Sequence, residues 1–170
     1  YGGFVFGSWD AGAISLDDFL GDFRWYLDIM LERHLGGIEF VPGQQRYSLN
    51  SNWKIASENF TGDTYHLAYS HGSMFQLDIR QLNPANPILF KDGGPYYNVC
   101  TDHGHGMTGM VFGGERYRVD QMVAKEMGPE VVDYVEASNA KLKKVLSKQQ
   151  TDAYALSFGN IFPNFSLNDF

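Results

Sequence analysis

Apolar residues recur at helical spacing in one long stretch near the start of the chain. Between Leu16 and Leu31 they fall on one side of an α-helix. Ser15 stands directly before this stretch and two aspartates follow Leu16, as is typical of a helix N-terminus. The glycine pair at 36–37 comes after it. The pattern therefore predicts an amphipathic helix that begins after Ser15 and ends before these glycines. Its apolar side comprises Leu16, Phe19, Leu20, Phe23, Leu27, Met30 and Leu31.

Shorter apolar or alternating runs predict strands, and one further stretch predicts a helix. Pro129 follows Gly128 and suits the first position of a helix that runs to about Gln149. Residues 72–114 are rich in glycine and proline, which indicates a long loop containing two of the strands. Strands mixed with helices, without an internal repeat, predict an α+β fold. The predicted strands are Phe4–Gly7, Gly43–Asn50, Tyr96–Thr101, Met107–Phe112 and Asn160–Leu167.

Composition and charge exclude several classes of protein. The chain has 170 residues, enough for one domain, and a net charge of −7, which argues against nucleic-acid binding. No apolar run is long enough to span a bilayer, so we expect no membrane partner. Cys100 is the only cysteine, which excludes an internal disulfide and suits a cytoplasmic location. The chain starts at Tyr1 and stops at Phe170 in strand-like runs, so we expect an excerpt of a longer protein.

A further helix is predicted from near Asn52 to about His71, and this segment carries the residues that suggest a function. On a continuous helix, Asn59, Asp63 and His66 at spacing i, i+4, i+7 share one face. His71 lies five residues beyond His66, about 140° away on an ideal helix. Both imidazoles could bind one metal if the helix is distorted or if His71 lies past its end. Spacing alone leaves open the alternative of two histidines that are hydrogen-bonded to nearby carboxylates.

The residue types in this segment and the spacing between them match a known motif. The segment has the form Glu/Asp-Asn, three residues, Asp, two residues, His, four residues, His, as Glu58-Asn59 to His71. It resembles the mononuclear-iron motif of the Rieske non-haem iron ring-hydroxylating oxygenases, in the catalytic domain of the large (α) subunit. Asn52-Trp53-Lys54 before it, Tyr65 beside the first histidine and the strand-like Ile161–Asn164 are similar to other segments of that family.

The resemblance implies a fold and a set of roles. The fold would be a curved antiparallel sheet flanked by helices, of the helix-grip or START-like type, and incomplete in this chain. His66 and His71 would bind Fe(II), and Asp63 would bridge to a histidine ligand of a Rieske [2Fe–2S] cluster in a neighbouring subunit. Asn59 would lie near the iron, while Phe60 and Leu67 would line the substrate pocket. The Rieske domain is expected upstream of Tyr1, and the third ligand, an aspartate, in the missing C-terminal part beyond Phe170, so Asp169 is rejected.

The implied activity is cis-dihydroxylation of an aromatic hydrocarbon by O₂, with electrons from NADH. The implied partners are a ferredoxin or reductase, or both, in an α3 or α3β3 assembly with a small β subunit. A related monooxygenase or O-demethylase activity stays open, and so does a non-catalytic small-molecule-binding domain. His103 and His105, set among glycines, suggest by composition a metal site. Alternatively they face solvent, form hydrogen bonds, or lie in a loop over the pocket.

Overall fold

A computed structural model describes residues 1–63, 65–71, 73, 96–110, 121, 124–153 and 157–169. Along the chain its helices are α1 (Leu16–Leu20), α2 (Phe23–Glu32), α3 (Lys54–Thr61), α4 (Tyr65–Ser70), α5 (Pro129–Val145) and α6 (Lys148–Ala153). Its strands are β1 (Tyr96–Cys100), β2 (Gly106–Met110), β3 (Ser157–Ile161) and β4 (Phe165–Asp169), and a single 3-10 turn covers Asp102–Gly104. None of the described helices is long and apolar enough to cross a membrane.

The four strands form one antiparallel sheet in the order β1-β2-β3-β4. Thr108 pairs with Asn98 on β1, and Gly106 pairs with Asn160 on β3. Because side chains alternate along a strand, Met107 points to one face of the sheet while Gly106 and Thr108 point to the other. An antiparallel sheet accompanied by helices confirms the predicted α+β class.

The apolar core lies between α1, α2 and the Met107 face of the sheet. Leu20, Phe23 and Leu27 are fully buried there against Met107. Burying one such side chain contributes about 1.5–3 kcal/mol. Gly159 on β3 gives this packing room, since an added Cβ would lie 3.1 Å from Met107 Cε and 3.4 Å from Phe23 Cζ. The apolar side that the sequence predicts is therefore the side that covers the sheet.

The first predicted helix is present but divided in two. Ser15 caps it as predicted, since its hydroxyl accepts the N–H of Asp18 at 3.0 Å. Gly21 then adopts a φ of 47°, and its N–H bonds to the carbonyl of Asp17 at 3.0 Å. A positive φ ends a helix, and glycine adopts it without steric cost. The apolar periodicity runs through this interruption because α2 restarts two residues later.

Two predicted strands are wrong. Phe4–Gly7 is not extended into a ladder; instead the rings of Phe4 and Phe6 pack edge-on against Phe165, with centroids 5.0 and 5.6 Å apart. Gly43–Asn50 is not a strand either and is exposed to solvent throughout. Among the described residues no neighbouring strand supplies hydrogen bonds to either segment, and a strand requires such a partner. The aromatic residues of Phe4–Gly7 and the alternating polar and apolar residues of Gly43–Asn50 give a strand-like sequence pattern without forming a strand.

The later elements match the sequence more closely. The strands predicted at Tyr96–Thr101 and Met107–Phe112 correspond to β1 and β2, although residues 111–112 lie outside the described part of the chain. The predicted strand Asn160–Leu167 is instead a hairpin, because residues 162–164 form the turn between β3 and β4. The Phe162-Pro163 peptide bond in that turn is cis. The helix from Pro129 is confirmed but ends at Val145, and α6 follows.

Helix α3 packs on the opposite face of the sheet from α2, and Gly106 provides the space. A Cβ at Gly106 would lie 2.8 Å from Thr61 Cγ2 and 3.0 Å from the carbonyl oxygen of Val99. Real Cβ atoms do not approach other atoms this closely, so only glycine permits the observed contact. The C-terminal end of α3 is thereby seated directly on β2.

We expect Gly106→Ala to lower the free energy of unfolding by about 1–3 kcal/mol, because the added methyl forces α3 away from β2. Urea denaturation of both proteins measures this. Gly7→Ala is the matched control, since Gly7 has an ordinary φ and a methyl group added there would meet no atom within 4 Å. A Gly106→Ala variant as stable as the wild type would contradict the packing.

His105 joins two distant parts of the fold, whereas His103 faces solvent with a φ of 62°. The buried His105 ring donates from Nε2 to the carbonyl of Phe19 at 2.7 Å and accepts the N–H of Phe162 at Nδ1, at 3.0 Å. Burial, opposed by the bond to Phe19 and assisted by nearby His103, lowers the pKa of His105 below its usual value. Of the interpretations open from the sequence, hydrogen bonding holds for His105 and solvent exposure for His103.

Stability should therefore depend on pH through His105. Its pKa is lower in the folded state, so below about pH 6.5 the unfolded chain takes up more protons. The free energy of unfolding then falls as pH decreases through this window, by at most about 1.4 kcal/mol per pH unit from this one group. We expect His105→Gln to flatten the slope between pH 7.5 and 5.5, measured by denaturation at each pH. His34→Asn, at an exposed position, should keep the slope, and identical slopes in wild type and His105→Gln would contradict the assignment.

Candidate metal centre

The central segment is not the continuous helix that the sequence predicts. Helix α3 ends at Thr61, and the N–H groups of Gly62 and Asp63 both turn back to the carbonyl of Glu58, at 3.0 and 3.3 Å. Helix α4 begins at Tyr65. Glycine weakens a helix at this point because it loses more backbone freedom than other residues. In place of the single predicted helix Asn52–His71 there are two helices, α3 and α4, and the chain leaves the helical path at Gly62 and Asp63.

The break brings two groups of Asp63 to His66. The carboxylate accepts the backbone N–H of His66 at 3.2 Å, in the first turn of α4. The ring Nδ1 lies 2.7 Å from the main-chain carbonyl oxygen of Asp63 and 3.5 Å from its carboxylate Oδ2. A carbonyl oxygen can only accept, so Nδ1 carries the proton. The lone pair of His66 is then on Nε2, which is the form that binds a metal ion.

Asn59 on α3 completes a three-residue group. Its amide nitrogen lies 3.2 Å from Nδ1 and 3.4 Å from Nε2 of His66. Since Nδ1 already donates to Asp63, the amide can donate only to Nε2. The structure thus brings together Asn59, Asp63 and His66, as their spacing indicates. Their functional roles stay predictions.

His71 follows α4 directly, as the sequence requires if both imidazoles are to meet. The ring centroids of His66 and His71 are 5.1 Å apart with an interplanar angle of 70°. Two nitrogens bound to one ion at about 2.1 Å lie roughly 3 Å from each other, and the two rings are neighbours on this scale. His71 is exposed, and the side chain of His66 is 24% exposed, so an ion could reach both.

A third protein ligand is not in place within the described residues. No group of three or more His, Cys, Asp or Glu side chains in that part of the chain is arranged to hold a metal. The donor set therefore fits two of the ligands of an iron ion, and a carboxylate must come from elsewhere. The rejection of Asp169 as the third ligand stays a prediction, because its side chain lies outside the described residues.

The predicted pocket residues are only partly visible. Phe60 is half-buried on α3. The side chain of Leu67 lies outside the described residues, as does Gly72 after the second histidine. Their assignment to a substrate pocket stays a prediction.

Sequence reasoning missed the residues that set the helix break. Thr108 on β2 donates its hydroxyl to the carbonyl of Thr61 at 2.8 Å, and Gly106 admits Thr61 to the strand. The signal present in the sequence was the glycine at 106 inside a strand, which marks a close backbone approach. The identity of the approaching helix is a tertiary fact that the pattern does not contain.

Comparison with known proteins supports the family that the motif indicates. The family model of the ring-hydroxylating alpha subunit, catalytic domain, matches residues 17–169. The large oxygenase component of a naphthalene 1,2-dioxygenase system from a Ralstonia species is 30% identical over 167 residues, covering 97% of this chain and 36% of the relative. The alpha subunit of an N,N-dimethyl phenylurea N-demethylase from Sphingobium is 30% identical over 98% of this chain and 34% of that protein.

The fold is shared with a solved structure of the same kind. The crystal structure of naphthalene 1,2-dioxygenase from a Rhodococcus species, bound to indole, superposes with a TM-score of 0.63 at 34% identity. The match covers 98% of this chain and 35% of that one. The chain thus spans about a third of the length of the relatives it matches. Motif, fold and similarity agree, and the chain belongs to the family of ring-hydroxylating oxygenase α subunits, within their catalytic domain.

Proposed function

We propose that this chain is part of the catalytic domain of a dioxygenase that cis-dihydroxylates an aromatic hydrocarbon. The observation that carries the proposal is the pair of imidazoles. His66 is held with its lone pair on Nε2, where a metal ion would take the place of the Asn59 amide hydrogen bond, and the ring centroid of His71 lies 5.1 Å away. This pair stands on a chain of a family whose relatives are named as large oxygenase components.

The residues present suit an iron ion in part. His66 and His71 would supply two ligands, and a carboxylate from another part of the polypeptide would supply the third. Two imidazoles and one carboxylate are the donor set of non-haem Fe(II) oxygenases. Iron bound here would supply the activation of O₂, while the protein supplies orientation.

Asp63 would act on both sides of the centre. Its main-chain carbonyl orients the His66 ring, so its carboxylate does not have to. The carboxylate is 38% exposed, and within the described part of the chain it accepts the N–H of His66 and lies 3.5 Å from the ring Nδ1. It therefore remains accessible to a histidine ligand of a [2Fe–2S] Rieske cluster in a neighbouring subunit, where it would link the two metal centres. Phe60 and Leu67 would form apolar walls that exclude water and orient the ring of the substrate.

The remaining parts of the system belong to the same proposal. We infer that electrons come from NADH through a reductase, a ferredoxin or both, in a cytoplasmic α3 or α3β3 assembly. The Rieske domain would lie in the part of the polypeptide that precedes Tyr1. The name of the Ralstonia relative, a large component of an oxygenase system, supports the presence of further components.

A second candidate is oxidative demethylation by the same centre. It is favoured by the Sphingobium relative, which is named as an N-demethylase and is as similar, at 30% identity, as the naphthalene dioxygenase component. An imidazole pair serves either reaction, because the ligands prepare the iron and the pocket decides which substrate atom is presented.

Substitutions can separate the proposed role of His66 in binding iron from the proposed role of Asp63 in linking two metal centres. In the full-length protein we expect His66→Ala to abolish stoichiometric iron binding, because a ligand is lost. Asp63→Asn should keep most of the iron, since the main-chain carbonyl still orients His66, but should lower turnover by a factor of about 100, because the carboxylate that would link the two metal centres is lost. Iron content by metal analysis and product formation measure the two effects.

His34→Asn removes an exposed imidazole away from the centre and serves as the control, with iron and activity expected at wild-type level. Wild-type iron and activity in both His66→Ala and Asp63→Asn would exclude the assignment. A full-length wild type that purifies without stoichiometric iron would favour the non-catalytic binding domain instead.

Products distinguish the two candidate reactions. With reductant and O₂, we expect the full-length system to convert simple arenes into cis-dihydrodiols, identified by mass spectrometry and chiral chromatography. Release of formaldehyde from N-methyl or O-methyl aryl substrates, without dihydrodiol from any arene, would establish demethylation instead. Heat-denatured protein is the control for uncatalysed oxidation.

A further inference from the structure

Thr108 occupies a buried position between the sheet and the break in the central segment. It is 4% exposed, and its Oγ1 lies 2.8 Å from the main-chain oxygen of Thr61 and 2.6 Å from the side-chain Oδ1 of Asn98. A hydroxyl has one proton and can donate to only one of these oxygens. The carbonyl of Thr61 can only accept, whereas the amide of Asn98 can rotate to present its NH₂ group. Thr108 therefore donates to Thr61 when the Asn98 amide is turned so that its NH₂ group donates to the hydroxyl.

The carbonyl of Thr61 belongs to the last residue of α3. In an unbroken helix it would accept the N–H of Tyr65, four residues on. Here the Thr108 hydroxyl takes that place, and the chain turns at Gly62 and Asp63. Gly106 allows the same contact sterically, because it has no side chain to keep Thr61 away.

The turn has a direct consequence for His66. In an unbroken helix the main-chain carbonyl of Asp63 would accept the N–H of residue 67. At the turn, that carbonyl accepts the ring Nδ1–H of His66 at 2.7 Å. The hydroxyl on β2 is thus linked to the imidazole through three consecutive structural features: the end of α3, the turn and the Asp63 carbonyl.

We propose that Thr108 is a positioning residue of the metal centre. By holding the carbonyl of Thr61 it fixes where α3 ends, and it thereby presents Nε2 of His66 for metal binding. This inference rests on the proposed function, because it assumes that His66 is a metal ligand. Asn98 supports the hydroxyl from the neighbouring strand.

Metal titration of the full-length apoprotein tests this, with Co²⁺ as a spectroscopic substitute for Fe²⁺. We expect Thr108→Val, which keeps the shape and removes the hydroxyl, to weaken Co²⁺ affinity about tenfold and to alter the visible absorption of the bound ion. Thr108→Ser restores the hydroxyl and should return both affinity and spectrum towards wild type. Thr151→Val is the matched control, since Thr151 also donates to a main-chain carbonyl but lies on α6, which packs against α2 and α5.

The outcomes separate this proposal from the proposed function. Loss of affinity in Thr108→Val, rescue by Ser and no change in Thr151→Val would support positioning. Wild-type affinity and spectrum in a Thr108→Val protein that is merely less stable would overturn it and leave the proposed function intact. Where Val does not pack, Thr108→Ala gives the same comparison. A wild type that binds no Co²⁺, or a His66→Ala variant that binds it equally well, would overturn both proposals.

Discussion

The structure of the centre depends on how closely α3 approaches β2. A Cβ added at Gly106 would lie 2.8 Å from the methyl group of Thr61. The hydroxyl of Thr108 donates to the carbonyl of Thr61. Both contacts lie at Thr61, the last residue of α3. Everything the candidate site contains, from the Asn59 amide to the His71 ring, is placed relative to that point. A strand that follows much later in the chain thereby sets the geometry of a segment that is contiguous in sequence.

The two faces of the sheet serve different purposes. The Met107 face is apolar and buries Leu20, Phe23 and Leu27, so most of the hydrophobic stabilisation comes from this side. On the α3 face, Gly106, Thr108 and Asn160 are small or polar, and Phe158, which pairs with Thr108, lies on the same face. The small and polar residues contribute little burial, but they hold a helix end by direct hydrogen bonds and close contact. The Met107 face of the strands thus packs the apolar core, and the opposite face holds the end of α3.

Some of this architecture was accessible from the sequence because it is local. Apolar spacing identified α1 and α2, the Ser15 cap set their start, and strand patterns located β1 and β2. The failures share a physical cause, since Phe4–Gly7 and Gly43–Asn50 have strand-like composition but lack a pairing partner in the described fold. The break at Gly62 was missed for the same kind of reason, because it is imposed by a tertiary hydrogen bond. The motif indicated which residues matter, and the break explains how His71 can meet His66.

If the proposed function holds, the break also explains how Asp63 would serve two metal centres. In a continuous helix, orienting the His66 ring would fall to the Asp63 carboxylate, whose Oδ2 lies 3.5 Å away. Because the helix ends early, the main-chain carbonyl at 2.7 Å performs that task instead. A main-chain carbonyl carries no charge and can only accept, so it fixes the tautomer of His66 without the carboxylate. The carboxylate is then left to cap α4 and to contact a group outside this chain, which an electron-transfer bridge requires.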